Sequence, residues 1–101
     1  MESGRIRHTV SFTLAHPAGS AAEGDFLDAA RRLGAIPGVE AFEVLSEVSP
    51  KNDFRYGISM EFANQAAYDG YNTHSDHVRF VEERWLKEVA DFLEIDYAPL
   101  G

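Results

Sequence analysis

The sequence predicts one small α+β domain whose elements run strand, helix, strand, strand, helix, strand. Three observations predict it. Apolar residues fall at every second position from Ile6 to Leu14 and again from Tyr56 to Phe62, the period of a strand with one buried face. They fall at three- and four-residue steps in residues 26–33 and 78–89, the period of an amphipathic helix. The chain has 101 residues, 45% hydrophobic and 26% charged, enough for one core and too few for two.

In the first strand Ile6, Val10, Phe12 and Leu14 alternate with Arg7, Thr9, Ser11 and Thr13. His8 shares the parity of the apolar set, so its imidazole points inward. After the break at residues 16–19, Ser20 and Glu23 have capping-box spacing and start a helix. Phe26, Leu27, Ala30 and Leu33 form its stripe, Arg31 and Arg32 suit its last turn, and Gly34 closes it, while Gly24 weakens its first turn.

The Ile36-Pro37-Gly38 turn leads into a second strand over residues 39–48, with Phe42 and Val44 on one side. A loop at residues 49–53 precedes the third strand, where Tyr56, Ile58, Met60 and Phe62 share a face. Asn64 caps a short helical stretch through Tyr68, interrupted by Gly70, Asn72 and Thr73. A longer helix starts near Ser75, with the stripe Val78, Val81, Trp85 and Val89 and an exposed Glu83/Lys87 pair. In the last strand Leu93, Ile95 and Tyr97 alternate with Phe92, Glu94 and Asp96, which makes Glu94 the odd member of its set.

Such an antiparallel sheet, with helices on one side, leaves its other face uncovered. On the first strand that face bears Thr9, Ser11 and Thr13, which suit water or a second sheet equally. Monomer and dimer both remain open on this reading.

A formal net charge of −8 opposes nucleic-acid binding, which needs clustered Lys and Arg. The charge serves solubility and leaves room for a cationic partner. With no cysteine there are no thiolate ligands, disulfides or Cys nucleophiles, which fits a reducing, cytoplasmic setting. No signal-like or membrane-spanning apolar run is present, so no membrane association is expected.

The densest polar segment is Tyr71-Asn72-Thr73-His74-Ser75-Asp76-His77. Three readings stand for its histidines. Two histidines three apart on a helix can ligate a metal, but a further ligand would have to come from Asp76, Glu94 or His8. His77, Tyr71 and inward-facing His8 can instead supply general acid/base chemistry, with the tyrosine hydroxyl polarising a carbonyl. Or His74 caps the helix and His77 hydrogen-bonds a neighbour. No phosphate loop or nucleophile elbow is present.

Four segments in order carry a resemblance over residues 6–99. They are Ile6-Arg7-His8-Thr9-Val10; Ile36-Pro37-Gly38-Val39 with Ser49-Pro50; Tyr71 through Phe80 with its H-x-x-H-V-x-F centre; and Asp96-Tyr97-Ala98-Pro99. Together they resemble the stress-responsive dimeric A/B-barrel (Dabb) family, whose members include plant stress proteins and olivetolic acid cyclase-like proteins.

The resemblance implies a ferredoxin-like βαββαβ fold whose sheet packs against that of a second copy, a homodimeric α+β barrel. It implies a small, largely apolar carbonyl-bearing ligand, cofactor-free and metal-free cyclase- or lyase-like chemistry with His77 as base, Tyr71 orienting the carbonyl and His8 as a pocket histidine. The alternative is a non-catalytic stress-responsive or ligand-binding protein. Expected ligand contacts are Val10, Phe26, Ala30, Phe42, Tyr56, Ile58, His74 and Glu94. The chain departs from the cyclase pattern at Tyr56 and Glu94, and at Ser75 in place of a proline, which implies a different substrate.

Overall fold

The computed structural model describes residues 4–101. Strand β1 (Ile6–Leu14) lies inside a four-stranded sheet of order β2-β3-β1-β4, with β2 at Glu40–Ser46, β3 at Tyr56–Phe62 and β4 at Val89–Tyr97. All three pairings are antiparallel. Helices α1 (Ala21–Arg31), α2 (Gln65–Thr73) and α3 (Ser75–Phe80) complete the ferredoxin-like α+β architecture that the resemblance implied. Among the described residues, no helix is long and apolar enough to cross a membrane.

The strand periodicity reads out directly in burial. Val10, Phe12, Ile58, Met60 and Phe62 are buried beside Phe26, Ala30 and Leu33 of the first helical segment. Ser20 caps α1 by accepting from the Glu23 amide, and the Glu23 carboxylate reaches back to the amide of Gly19. The helix then tightens into a 3₁₀ turn at Arg32–Ala35. Gly34 is needed there for space: a Cβ would meet the Phe42 ring at 2.9 Å. Gly38, at φ 92°, occupies the position of a Pro-Gly turn that demands a left-handed residue.

Four expectations are corrected. Strand β2 is shorter than residues 39–48 and is interrupted by a bulge, with Ala41 at φ 49° between Glu40 and Glu43. Gly70, Asn72 and Thr73 do not interrupt α2, which continues to Thr73. A single glycine costs a helix about 1 kcal/mol, and the Asn64 cap and the Thr73 hydroxyl bond to the Asp69 carbonyl support the two ends.

The long second helix is not one regular helix. After Phe80 the chain widens into a π-helical turn, Val81–Trp85, and closes with a last turn, α4 (Leu86–Glu88). The 3.6-residue stripe therefore slips. Phe80 is the buried residue, Val78 is exposed, and Val89 already belongs to β4. The ion pair that forms joins Arg84 to Glu88, with Arg84 also reaching Asp25, in place of Glu83 with Lys87. Glu88 and Val89 are adjacent, so helix passes into strand with no loop.

Pairing across β1 and β4 sets Phe12 opposite Phe92, Val10 opposite Glu94 and His8 opposite Asp96. Directly opposed residues share a face, so Phe92, Glu94 and Asp96 lie on the helix side. Leu93, Ile95 and Tyr97, all exposed, lie on the uncovered side with Thr9 and Ser11.

Candidate functional site

His8 is a buried imidazole within the core, 6% exposed. A buried imidazole needs partners for both nitrogens or access to a cavity. Asp96 supplies the first: its Oδ1 lies 2.6 Å from Nδ1. The Tyr68 hydroxyl donates to Asp96 Oδ2 at 2.7 Å and sits 2.9 Å from the same His8 nitrogen. A carboxylate beside Nδ1 fixes the hydrogen there and leaves the lone pair on Nε2, which faces the Glu94 carboxylate at 3.9 Å.

Tyr71, from α2, is 2% exposed. Its ring lies 6.3 Å from that of His8 and 4.4 Å from that of His77. Its hydroxyl makes no hydrogen bond among the described residues, yet no sealed side-chain polar atom there lacks a partner. The hydroxyl therefore opens onto the cavity. Burial raises its pKa, with the Glu94 charge adding to the effect, so it stays protonated and able to donate.

His77 stands in the first turns of α3 and donates from Nδ1 to the Asn72 carbonyl at 3.1 Å. That bond leaves Nε2 as an acceptor. Burial is the main cause lowering its pKa, so at neutral pH the ring is uncharged and available as a base.

These groups border a cavity of about 300 Å³ between sheet and helices. Its sheet side is made by His8, Val10, Ile58, Met60, Phe92 and Glu94. Tyr71, Asn72 and His77 form one wall, and Phe80, Val81, Trp85 and Leu86, around the π-helical turn, form another. A broader hollow of about 670 Å³ lies on the other face of the sheet, lined by Thr9, Ser11, Gly57 and Tyr97 among others. It holds none of the histidines.

Of the expected positions, the structure brings together His8, Tyr71, His77, Val10, Ile58 and Glu94 around one space. It does not bring Phe26, Ala30, Phe42, Tyr56 or His74 to that lining. Phe26 and Ala30 are fully buried core, and Phe42 packs on Gly34. The Tyr56 hydroxyl is engaged by Glu23 and Arg55. His74 caps α3, its Nδ1 accepting from the Asp76 amide at 3.1 Å. Among the described residues no three His, Asp or Glu side chains are grouped to hold a metal ion.

Tyr68, Asp96 and Asn72 complete the site and were not among the expected positions. Asp96 carried a usable signal, since it shares parity with Phe92 and Glu94. Tyr68 carried none, because its partner lies 28 residues away on another element.

The model of the Stress responsive A/B Barrel Domain matches residues 6–99. Among solved structures, the chain is similar to a Dabb family protein with a ferredoxin-like fold from Mesorhizobium loti. That pair is 60% identical, with TM-score 0.94 and 97% of this chain and 99% of that one covered. It is also similar to a dimeric protein of unknown function and ferredoxin-like fold from Bacteroides fragilis, 24% identical, TM-score 0.74, covering 95% and 97%. A hydroxynitrile lyase from Passiflora edulis shares the fold at 12% identity and TM-score 0.84, covering 98% and 97%. No curated protein matches the chain.

Proposed function

The chain belongs to the stress-responsive A/B barrel (Dabb) family, and on that premise we propose that it works as a homodimer that binds a small, largely apolar carbonyl compound and catalyses proton transfer on it. The observation that carries the reading is the pairing of an uncharged His77, its Nε2 unoccupied, with a protonated, unpartnered Tyr71 hydroxyl on one cavity.

The chemistry follows from those two atoms. His77 Nε2 takes a proton from the carbon next to a carbonyl, and the C–H electron pair moves into an enolate. Tyr71 donates a hydrogen bond to the oxygen on which the charge develops. The enolate carbon can then attack a second carbonyl of the same molecule, closing a ring as that carbonyl's π pair becomes an alkoxide that takes the proton back from His77, or His77 can return the proton to carbon and so exchange it. The cavity is lined mainly by apolar side chains, which suits a ligand with few polar groups.

The exposed Leu45, Leu93, Ile95 and Tyr97 on the uncovered sheet face support the dimer. They form an apolar surface on an otherwise charged chain. The dimeric state of the Bacteroides fragilis relative accords with it.

Screening poly-keto compounds, β-diketones and cyanohydrins for turnover tests the reading. Turnover should fall by about a hundredfold or more in His77→Ala, the usual size of a lost general base. Undiminished turnover in that variant would sink it. The second reading, a binder without turnover, draws on the structural bonds of His74 to Asp76 and His77 to Asn72. Ligand binding with no turnover across the screen selects it.

A further inference from the structure

Glu94 is the only formally charged residue among those lining the cavity, and no Lys or Arg of the described residues reaches it. Its carboxylate makes no hydrogen bond among the described residues. His8 Nε2 is 3.9 Å away, beyond hydrogen-bond distance. The carboxylate oxygens are thus uncommitted. They are half-exposed, at 56% for the side chain, so a ligand can meet them without the full penalty of a buried unpaired charge.

Neither histidine is committed to this charge. His77 is held uncharged by burial, and His8 is engaged through Nδ1 with Asp96 at 2.6 Å. Around Glu94 the cavity is aromatic: Phe92 two residues before it on the strand, and Trp85, Phe80 and Tyr71 from the helical side. Aromatic surfaces with one carboxylate and no cation are the chemistry that recognises an ammonium group, through ring quadrupoles and a single opposite charge. A ligand carboxylate would bring a second negative charge into the same space.

We propose that the cavity selects carbonyl compounds bearing a protonated amine or quaternary ammonium group, seated between Glu94 and the aromatic wall, and rejects those bearing a carboxylate. This rests on reading the cavity as a carbonyl-compound site and names the substrate class within it. It sets the chain apart from a cyclase acting on a poly-keto acid, because such a substrate brings its own carboxylate.

Three ketones of matched shape test it by titration calorimetry at pH 7.5 and low salt: (4-acetylphenyl)trimethylammonium, 4-tert-butylacetophenone and 4-acetylbenzoate. The ammonium ketone should bind at least about tenfold more tightly than the carboxylate, with the neutral isostere between them. In Glu94→Gln the ammonium ketone should lose about fivefold in affinity while the neutral one changes by less than about twofold. Equal binding of all three, or an ammonium preference that survives Glu94→Gln, overturns the charge selection and leaves the cavity reading standing. Failure of all three to bind the native protein overturns both.

Discussion

Asp96 Oδ1 lies 2.6 Å from His8 Nδ1, a contact between residues 88 apart in sequence. It comes about because antiparallel pairing places the two strands' residues opposite each other. Asp96→Asn should release the tautomer that this carboxylate fixes. Nitrogen-15 spectra of His8 should show a hydrogen confined to Nδ1 in the native protein and shared between both nitrogens in the variant. An unchanged spectrum would mean that Tyr68 alone holds the ring.

Two buried tyrosines three residues apart should respond differently to loss of the hydroxyl. Tyr68 donates to Asp96, so Tyr68→Phe should cost about 1 kcal/mol. The Tyr71 hydroxyl has only the cavity, so Tyr71→Phe should stay within about 0.5 kcal/mol of native while weakening turnover. Urea unfolding of both variants compares them.

His77 gives a stability dependence of known sign. Burial lowers its folded pKa below the unfolded value, so folding favours the neutral ring. That contribution is complete above about pH 6.5, the unfolded value, and is lost as pH falls through it toward the folded pKa. Between pH 7.5 and 5 the native protein should lose more thermal stability than His77→Gln. Parallel melting curves would refute the assignment.

Glycines at two positions should respond in opposite directions. Gly34→Ala places a Cβ 2.9 Å from the Phe42 ring and should destabilise by about 1–3 kcal/mol. Gly24 lies within α1 with nothing within 4 Å of a new Cβ, so Gly24→Ala should stabilise by up to about 1 kcal/mol. Chemical denaturation midpoints report both.

Ile95 sits on the uncovered sheet face, its carbonyl already taken by the Thr9 hydroxyl. A lysine at that position would put a charge where the second sheet is proposed to pack. Ile95→Lys should therefore convert the dimer to single chains by light scattering, with unchanged secondary structure.

Periodicity made the four strands, α1 and its cap readable, because each depends on neighbours within a few residues. His8 could be placed inward for the same reason. What stayed hidden depends on contacts across the sheet or on a change of helical period. The bond from Tyr68 to Asp96 joins α2 to an edge strand, and no local pattern encodes it. The π-helical turn displaced the stripe read from Val78, because five residues there follow a wider helix than the 3.6 rule assumes. The gathering of Tyr71 and His77 with His8 was implied by the family resemblance and not by spacing, whereas Phe26, Phe42 and His74, expected at the ligand from their residue types, lie elsewhere.

The direct passage from Glu88 to Val89 ties two geometries together. One residue turns a helix by about 100° and reverses the face of a strand. Removing one from the π-helical turn would swing Trp85 about its axis. Removing Asp91 would exchange Phe92 and Glu94 for Leu93 and Ile95 in the cavity. A loop would absorb such a change, and there is none. Between Val81 and Asp96 the chain is therefore free to vary its side chains and rigid in its count, so point substitutions can retune the cavity, whereas a single insertion or deletion would dismantle it.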